Sequence, residues 1–189
     1  MSVSCIETEI PDLILLQPTP HGDARGFLLE SFREDVWAEH GITGPFVQDN
    51  HSRSTKGTLR GLHFQTSPGQ AKLVRCVRGA IWDVAVDLRR DSPTYRRWEG
   101  MELSDEDHRQ LFVPAGFAHG FCVLTDVADV AYKLSSVYDP ETEAGIRWDD
   151  PDVGIEWPVD DPQLSERDRS APSLAEIEES LPFSTRRQS

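Results

Sequence analysis

Residues 81–88 read Ile81-Trp82-Asp83-Val84-Ala85-Val86-Asp87-Leu88 and show the clearest strand pattern of the chain. Successive side chains of a strand point to opposite faces, so Asp83, Ala85 and Asp87 share one face and larger apolar side chains share the other. A repeat of two residues predicts a β-strand. Arg78-Gly79-Ala80 separates this stretch from the apolar run at 73–77, and we predict a hairpin turn there.

Short apolar runs of the same kind recur along the chain, separated by Gly, Pro, Asp or Ser. They lie at 13–16, 26–32, 110–113, 121–124 and 130–134, and His63 stands on a further strand-like stretch. Helices are predicted at 33–40 and at 174–180, where Ser173 and Glu176 form a capping box. Many short strands predict an all-β sandwich or jelly roll with a few short helices, one of them near the C-terminus. The length fits a single domain over residues 1–189.

The net charge of −14 is unevenly distributed. Residues 51–100 hold ten Lys/Arg against four Asp/Glu, a balance of +6, and the remainder holds nine against 29, a balance of −20. Nucleic acid is not the expected partner, because phosphate contacts need a broad cationic face. A local positive pocket in an acidic body suits a small anion better. The arginines of a turn-like stretch are interpreted as surface residues that aid solubility: Arg89, Arg90, Arg96 and Arg97.

The three cysteines are odd in number and widely spaced, which argues against a disulfide framework and a cysteine-based zinc site. Cys76 and Cys122 stand in apolar runs and are expected to be core residues. No stretch approaches the ~20 apolar residues of a membrane span. The first residues lack the basic-then-apolar build of a secretory signal. We therefore expect a cytoplasmic protein.

Pro114-x-Gly116-x-x-His119 has the form of the second motif of cupins, which are small jelly-roll barrels. In metal-binding cupins that histidine is a ligand, and the first motif supplies His-x-His. Here the first-motif position reads His63-Phe64-Gln65, and Gln is a poor ligand for a transition metal. The pattern favours a cupin-type barrel without a metal, in which His119 is either a hydrogen-bonded core histidine or a substrate contact.

Longer motifs run through the chain in a characteristic order and resemble the dTDP-4-dehydrorhamnose 3,5-epimerase family. They are Arg60-Gly-Leu-His63-Phe-Gln, Gln70-Ala-Lys72, Asp83-Val-Ala-Val-Asp87, Gly116-Phe-Ala-His119-Gly-Phe and Leu164-Ser-x-Arg-Asp168. The resemblance implies a cupin jelly roll, a homodimer and no metal or other cofactor. It also implies a thymidine-diphosphate 4-keto-6-deoxyhexose as substrate, on the route to dTDP-L-rhamnose.

Catalytic roles follow from the resemblance for four residues. His63 matches the base, Asp168 its carboxylate partner, Tyr132 the acid, and Lys72 the residue near the C4 oxygen. The chemistry needs such groups, because inversion next to a ketone requires a base on one face, an acid on the other, and a cation for the enolate between them. Without the resemblance, Tyr132 would be interpreted as a packing residue and Asp168 as a solvated loop residue.

The resemblance also implies substrate-binding residues. Arginine side chains suit diphosphate oxygens, and Tyr138 matches a residue that stacks on thymine. Arg25 and Glu30 lie in an N-terminal segment that the family exchanges between subunits, so the pocket is expected to be shared by two chains. The full set is Arg25, Glu30, Gln48, Asn50, Arg60, His119, Tyr138, Glu143 and Arg167.

Three alternatives remain open from the sequence. The first is an epimerase that inverts only C3 or only C5 of a related dTDP-4-keto-deoxysugar. The second is a non-catalytic cupin that binds a sugar nucleotide; the joint presence of His63, Asp168 and Tyr132 argues against it. The third is a metal-dependent cupin oxygenase or isomerase.

Overall fold

A computed structural model describes residues 2–185; the ends of the 1–189 domain prediction lie outside the described residues. The chain begins with two strands and a small two-stranded ribbon, followed by a short helix and two further strands. These elements are β1 (Val3–Ile6), β2 (Ile14–Pro18), β3 (His21–Asp23), β4 (Gly26–Leu28), α1 (Glu34–Glu39), β5 (Gln48–Thr55) and β6 (Leu59–Gln65). The second half contributes β7 (Lys72–Arg78), β8 (Ala80–Asp87), β9 (Trp98–Ser104), β10 (Gln110–Val113), β11 (Phe117–Val123), β12 (Val127–Leu134), β13 (Glu143–Gly145), α2 (Glu166–Arg169) and α3 (Leu174–Ile177), followed by a 3₁₀ turn at Glu178–Ser180.

Two antiparallel sheets form the body of the molecule. The six-stranded sheet has the order β1-β2-β10-β7-β12-β5, and the five-stranded sheet has the order β13-β6-β11-β8-β9. Apolar side chains from both sheets meet in one cluster, which includes Val74 and Val130 from the first sheet and Ala85 and Phe121 from the second. This arrangement confirms the predicted all-β fold, a jelly roll of the cupin type with a few short helices.

Strand β8 confirms the alternation read from the sequence, and it is buried on both faces. Ala85 packs in the cluster between the two sheets. Val84 and Val86 pack on the opposite side, against Leu174 and Leu181 of the C-terminal region. The C-terminal segment therefore covers the outer face of this sheet. Because both faces of β8 are buried, its side chains are either apolar or, like Asp83 and Asp87, hydrogen-bonded to another residue.

The predicted hairpin turn at 78–80 is wrong. Strand β7 pairs with β10 and β12, whereas β8 pairs with β9 and β11, so the chain passes from one sheet to the other at this point. Three residues between two apolar runs fit a tight hairpin and a tight crossover equally well. The sequence pattern alone does not separate these two connections.

Arg89 also differs from the prediction, because it is buried rather than part of the solvent-exposed turn. Its guanidinium donates hydrogen bonds to both oxygens of Asp87, at 2.9 and 2.8 Å, and Asp87 is completely buried. Ser92 and Thr94 donate to the same carboxylate. Burial alone would raise the pKa of Asp87, but these hydrogen bonds hold it below its ordinary value.

The helix predictions agree with the structure within a few residues. Helix α1 occupies most of the predicted 33–40, and the capping box of Ser173 and Glu176 is formed at the start of α3. The predicted strand at 26–32 is shorter, ending at Leu28. Cys76 and Cys122 are buried, as expected. In the part of the chain that the structure describes, no helix has the length and apolar character to cross a membrane.

Candidate active site

A cavity of about 260 Å³ opens between the two sheets and gathers most of the predicted catalytic residues. Strands β6 and β11 supply its walls on one side, and β7 and β12 supply them on the other. Helix α2 closes one edge. The lining side chains are Arg60, His63, Lys72, His119, Phe121, Tyr132, Ser165, Arg167 and Asp168.

A bulge in β6 directs two side chains into this cavity. His63 lies opposite His119 and Arg60 lies opposite Phe121, so β6 has one residue more than β11 between these pairs. A Cβ on Gly120 would lie 2.7 Å from the carbonyl oxygen of Arg60, closer than real contacts allow. Because position 120 carries no side chain, the two backbones approach closely, and Arg60 and His63 both face the cavity.

His63 is paired with Asp168, which β6 and α2 bring together over 105 positions of sequence. The distance between Nε2 of His63 and Oδ1 of Asp168 is 2.5 Å. Asp168 is only 4% exposed, so reading it as a solvated loop residue is wrong. Burial alone would raise its pKa, but the hydrogen bond from His63 and the nearby positive charge hold that pKa below its ordinary value. A carboxylate only accepts hydrogen bonds, so Nε2 of His63 is the donor here, and Nδ1 is the nitrogen that presents a lone pair in the neutral ring.

Ser165 holds the other oxygen of Asp168. Its hydroxyl lies 2.9 Å from Oδ2 of Asp168 and 3.1 Å from the backbone nitrogen of the same residue. It is the N-cap residue of α2. The carboxylate is therefore oriented by a hydrogen bond at each oxygen. Sequence reasoning missed Ser165, although Ser165-x-x-Asp168 has the spacing of a helix start signal.

Lys72 and Tyr132 reach the cavity from the sheet opposite His63. Lys72 begins β7, is buried, and donates a hydrogen bond of 3.1 Å from Nζ to the backbone oxygen of His63. Burial lowers the pKa of Lys72 to about 8, although the carboxylates of Asp83 and Glu143 act in the opposite direction. Tyr132 lies on β12 and packs against the core cluster. Base and acid candidates thus approach the cavity from different walls.

His119 forms a second histidine–aspartate pair. Its Nε2 lies 2.9 and 3.0 Å from the two oxygens of Asp83, which is completely buried. His119 therefore combines the two interpretations of the sequence, because it is a hydrogen-bonded core residue and it also lines the cavity. Asp83 was missed as a site residue, although an aspartate in an apolar strand is a signal of a buried polar contact. Among residues 2–185, no group of three or more His, Cys, Asp or Glu side chains is arranged to hold a metal ion.

The predicted binding residues form a connected set beside the cavity. Tyr138 donates from its hydroxyl to Glu143 at 2.6 Å, and Arg167 is paired with the same carboxylate oxygen. Burial alone would raise the pKa of Glu143, but the Arg167 and Tyr138 contacts hold it below its ordinary value. The side chain of Gln48 accepts from the backbone of Tyr138 at 2.9 Å and donates to Asn50 at 2.9 Å.

Three other predicted binding residues differ in their surroundings. Arg60 lines the cavity and donates to Ser54 at 2.9 Å. Arg25 lies in the β3–β4 ribbon with its side chain 89% exposed and paired with Asp23. Glu30 contacts Arg33. Neither Arg25 nor Glu30 is among the lining residues of the cavity, so the structure does not bring these two to the site of their own chain.

Two other cavities lie beside this site, and the first of them shares Tyr132 with it. One, of about 300 Å³, opens on the six-stranded sheet and is lined by residues such as Arg75 and Lys133. The other, of about 320 Å³, lies beside the ribbon and is lined by Phe27 and Leu28. Both are larger than the cavity between the sheets, but neither contains a histidine–aspartate pair. By contrast, His63 and His119 are each paired with an aspartate and both line the cavity between the sheets.

Known proteins resemble this chain over most of its length. A family profile described as dTDP-4-dehydrorhamnose 3,5-epimerase matches residues 7–176. The dTDP-4-dehydrorhamnose 3,5-epimerase of Shigella flexneri is 54% identical over 168 residues, which are 88% of this chain and 93% of the relative. The dTDP-4-dehydrorhamnose 3-epimerase of Streptomyces niveus is 46% identical over 164 residues, covering 85% of this chain and 79% of that protein.

A solved structure is similar over almost the whole fold. The crystal structure of dTDP-6-deoxy-D-glucose-3,5-epimerase from Legionella pneumophila Philadelphia 1, in complex with dTDP-4-keto-L-rhamnose, matches with a TM-score of 0.95 and 46% identity. The match covers 98% of this chain and 100% of that one. Fold, site and relatives together define an isomerase of the jelly-roll epimerase class. The chain belongs to the dTDP-4-dehydrorhamnose 3,5-epimerase family.

Proposed function

We propose that this protein inverts C3 and C5 of dTDP-4-dehydro-6-deoxy-D-glucose and so forms dTDP-4-dehydro-L-rhamnose. The observation that carries the proposal is the His63–Asp168 pair in a cavity that Lys72 and Tyr132 enter from the opposite sheet. Family membership supports the same substrate. The steps require no metal or other cofactor, because the C4 ketone of the substrate itself acidifies the hydrogens on C3 and C5.

His63 acts as the general base in this proposal. Its Nδ1 lone pair takes the proton from the carbon next to the ketone, and the electrons of the C–H bond move to the C4 oxygen as an enolate. Asp168 holds the ring in the tautomer that leaves Nδ1 free and stabilises the imidazolium that forms. A general base of this kind contributes about 10²–10⁴-fold in rate.

Lys72 stabilises the enolate. Its ammonium group enters the same cavity, and a positive charge placed where negative charge develops lowers the transition state. Tyr132 then gives its hydroxyl proton to the carbon from the face opposite His63, which inverts the configuration. The same two transfers are repeated at the second carbon, with proton exchange to solvent between them.

The connected set beside the cavity binds the nucleotide. Arg60 and Arg167 provide guanidinium groups for the diphosphate oxygens. Tyr138, 45% exposed, offers its ring face for stacking on thymine. Polar contacts with the substrate are assigned to Gln48, Asn50 and Glu143 of this set and to His119 of the cavity wall.

A homodimer with exchanged N-terminal segments completes the pocket. The ribbon presents Phe27 and Leu28, 62% and 65% exposed, together with the side chains of Arg25 and, a little further on, Glu30. Adjacent exposed apolar side chains on one surface are typical of a site that a partner covers. In the dimer, Arg25 and Glu30 would reach the cavity of the other subunit. The cytoplasm is the proposed location, and neither nucleic acid nor membrane is a proposed partner.

Proton NMR in deuterated water tests the reaction. With dTDP-4-dehydro-6-deoxy-D-glucose, the wild-type protein should place deuterium at both C3 and C5 and form the L-configured product. His63→Asn should abolish both the exchange and the inversion while the protein remains folded. Retention of more than a few per cent of wild-type exchange in that variant would contradict the role of His63.

Tyr132→Phe separates the two proton transfers. This variant removes only the hydroxyl, so it should still exchange deuterium into the substrate while forming little L-configured product. Inversion at the wild-type rate would show that another group delivers the proton. A Tm decrease of many degrees would instead assign Tyr132 to packing.

A second candidate is inversion at C3 alone. The observation that favours it is the 46% identity to the 3-epimerase of Streptomyces niveus. The NMR experiment separates the candidates, because a C3 epimerase places deuterium at C3 only.

A further inference from the structure

We infer that the buried amide pair Gln65–Gln70 is a positioning device that holds segment 135–142, and with it the ring of Tyr138, for the nucleotide end of the substrate. The inference rests on the proposed function, in which Tyr138 contacts the nucleotide. Both glutamines stand in the motifs that the sequence singled out, and neither is among the residues that line the cavity.

The two amides are bonded directly to each other. Nε2 of Gln70 donates to Oε1 of Gln65 at 2.6 Å. Gln65 is 3% exposed and Gln70 is 7% exposed. Glutamine is mostly found at protein surfaces, and burying its amide is costly unless the polar atoms are paired. This pair therefore needs specific partners on both sides, and the neighbouring segment provides them.

Each amide also bonds to segment 135–142. Nε2 of Gln65 donates to the hydroxyl of Thr142 at 2.8 Å. Nε2 of Gln70 donates to the backbone oxygen of Ser136 at 3.0 Å. The two contacts lie on either side of Tyr138 in the sequence. The Gln65–Gln70 pair therefore holds the segment both before and after this residue.

Backbone bonds reinforce both ends of the segment. Ser135 donates from its backbone nitrogen to Ala71 at 3.0 Å, and Thr66 donates to the backbone oxygen of Thr142 at 2.8 Å. Between these points, Tyr138 is held at its backbone nitrogen by Gln48 and at its hydroxyl by Glu143, and Arg167 also interacts with its side chain. Fixing the two ends restricts where the exposed ring can lie before the ligand arrives.

Restricting the ring in advance increases affinity, because less conformational entropy is lost when the nucleotide binds. The reacting carbons lie at the other end of the substrate, beside His63 and Tyr132. Loss of the amide pair should therefore weaken nucleotide binding and leave proton transfer at saturation intact.

Gln70→Met is the direct test, since it removes the donor and keeps a side chain of similar length. We expect the Kd for dTDP, measured by titration calorimetry, to rise about tenfold, the size of a lost hydrogen bond. KM for dTDP-4-dehydro-6-deoxy-D-glucose should rise by the same factor, and kcat should stay within about twofold. Thr142→Val is a milder second variant, because it removes one acceptor at a half-buried position, and it should change Kd in the same direction.

Two further variants separate positioning from general destabilisation. Thr94→Val is the matched control: Thr94 is a buried polar residue bonded to Asp87, away from segment 135–142. It should lower Tm without changing the Kd for dTDP. In the background Tyr138→Leu, Gln70→Met should have no additional effect on Kd, because the ring that the pair positions is absent.

Three outcomes would overturn the inference. The first is an unchanged Kd in both Gln70→Met and Thr142→Val. The second is a fall in kcat at unchanged Kd, which would assign the pair to the catalytic end. The third is a full tenfold effect of Gln70→Met in the Tyr138→Leu background. Failure of wild-type protein to bind dTDP at all is a different result and would overturn the proposed function itself.

Discussion

Asp168 is a buried carboxylate that is hydrogen-bonded to His63 in the candidate active site. Burial alone would raise the pKa of Asp168, but the hydrogen bonds from His63 and Ser165 and the nearby charge of Arg167 hold it below its ordinary value. Asp168→Asn keeps the shape and removes the charge that stabilises the imidazolium. We expect the epimerisation rate to fall by up to about 10⁴-fold, as for the aspartate of a catalytic triad.

Steady-state kinetics and circular dichroism on the same preparation measure this effect. Glu166→Gln is the matched control, because it neutralises an exposed carboxylate on the same short helix and should leave the rate within about twofold. Near-normal activity of Asp168→Asn would show that Asp168 is not needed to orient or charge His63.

Lys72 should set the decline of activity at high pH. A lysine is charged below its pKa, and burial lowers the pKa of Lys72 to about 8. As pH rises through this value, the cation that stabilises the enolate is lost, so kcat should fall towards higher pH with a midpoint near 8. A pH–rate profile measures this, and Lys72→Arg should lack that limb because its side chain stays charged. A wild-type kcat that is constant up to pH 9.5 would contradict the role.

At this scale the sequence predicted candidate catalytic residues but not how they are held. The family resemblance implied roles for four residues that the structure gathers around one cavity, and they are His63, Lys72, Tyr132 and Asp168. Asp83 was missed because its partner His119 is 36 positions away in sequence. A contact between distant residues depends on strand pairing, which local patterns do not encode.

At the scale of the elements, the close approach of β6 and β11 positions Arg60 and His63 towards the cavity. Gly120→Ala adds one methyl group where the backbone oxygen of Arg60 lies 2.7 Å away. The strands must separate, which we expect to cost roughly 1–3 kcal/mol of unfolding free energy. It should also reduce activity, because Arg60 and His63 are carried by the displaced strand.

Denaturant unfolding measures the loss of stability. Gly22→Ala is the control, because a Cβ there would meet its nearest neighbour at 3.7 Å, an ordinary contact. Its unfolding free energy should change by no more than about 0.5 kcal/mol. If Gly120→Ala is equally harmless, β6 and β11 tolerate separation and the bulge does not depend on that glycine.

Several elements near the site were absent from the sequence-based prediction, among them β5 and α2. Strand β5 (Gln48–Thr55) has polar side chains throughout and lies at the edge of its sheet. It therefore lacks the apolar alternation that predicts a strand buried on one face. Helix α2 has four residues, too few to show a helical repeat. Both elements form through pairing with the rest of the fold rather than through their own apolar pattern.

At the scale of the whole molecule, the exposed ribbon is the feature that a single chain does not explain. It presents Phe27 and Leu28 to solvent and carries Arg25, which the family resemblance assigns to the substrate pocket, away from the cavity of its own chain. An arginine on a ribbon exchanged between subunits would reach a partner's substrate. The pocket is then shared, and mutations in two different chains can be combined to test it.

Heterodimers of His63→Asn and Arg25→Ala chains provide that test. Each variant alone should be strongly impaired. If the pocket is shared, one site of the heterodimer combines His63 of one chain with Arg25 of the other and is fully intact. Co-purified heterodimers should therefore recover about half of the wild-type kcat. Their KM should equal that of the wild-type protein. If each pocket is built from one chain, every site keeps one of the two defects. The activity should then be no greater than that of the Arg25→Ala chain alone, and the exchange of the ribbon between subunits would be wrong.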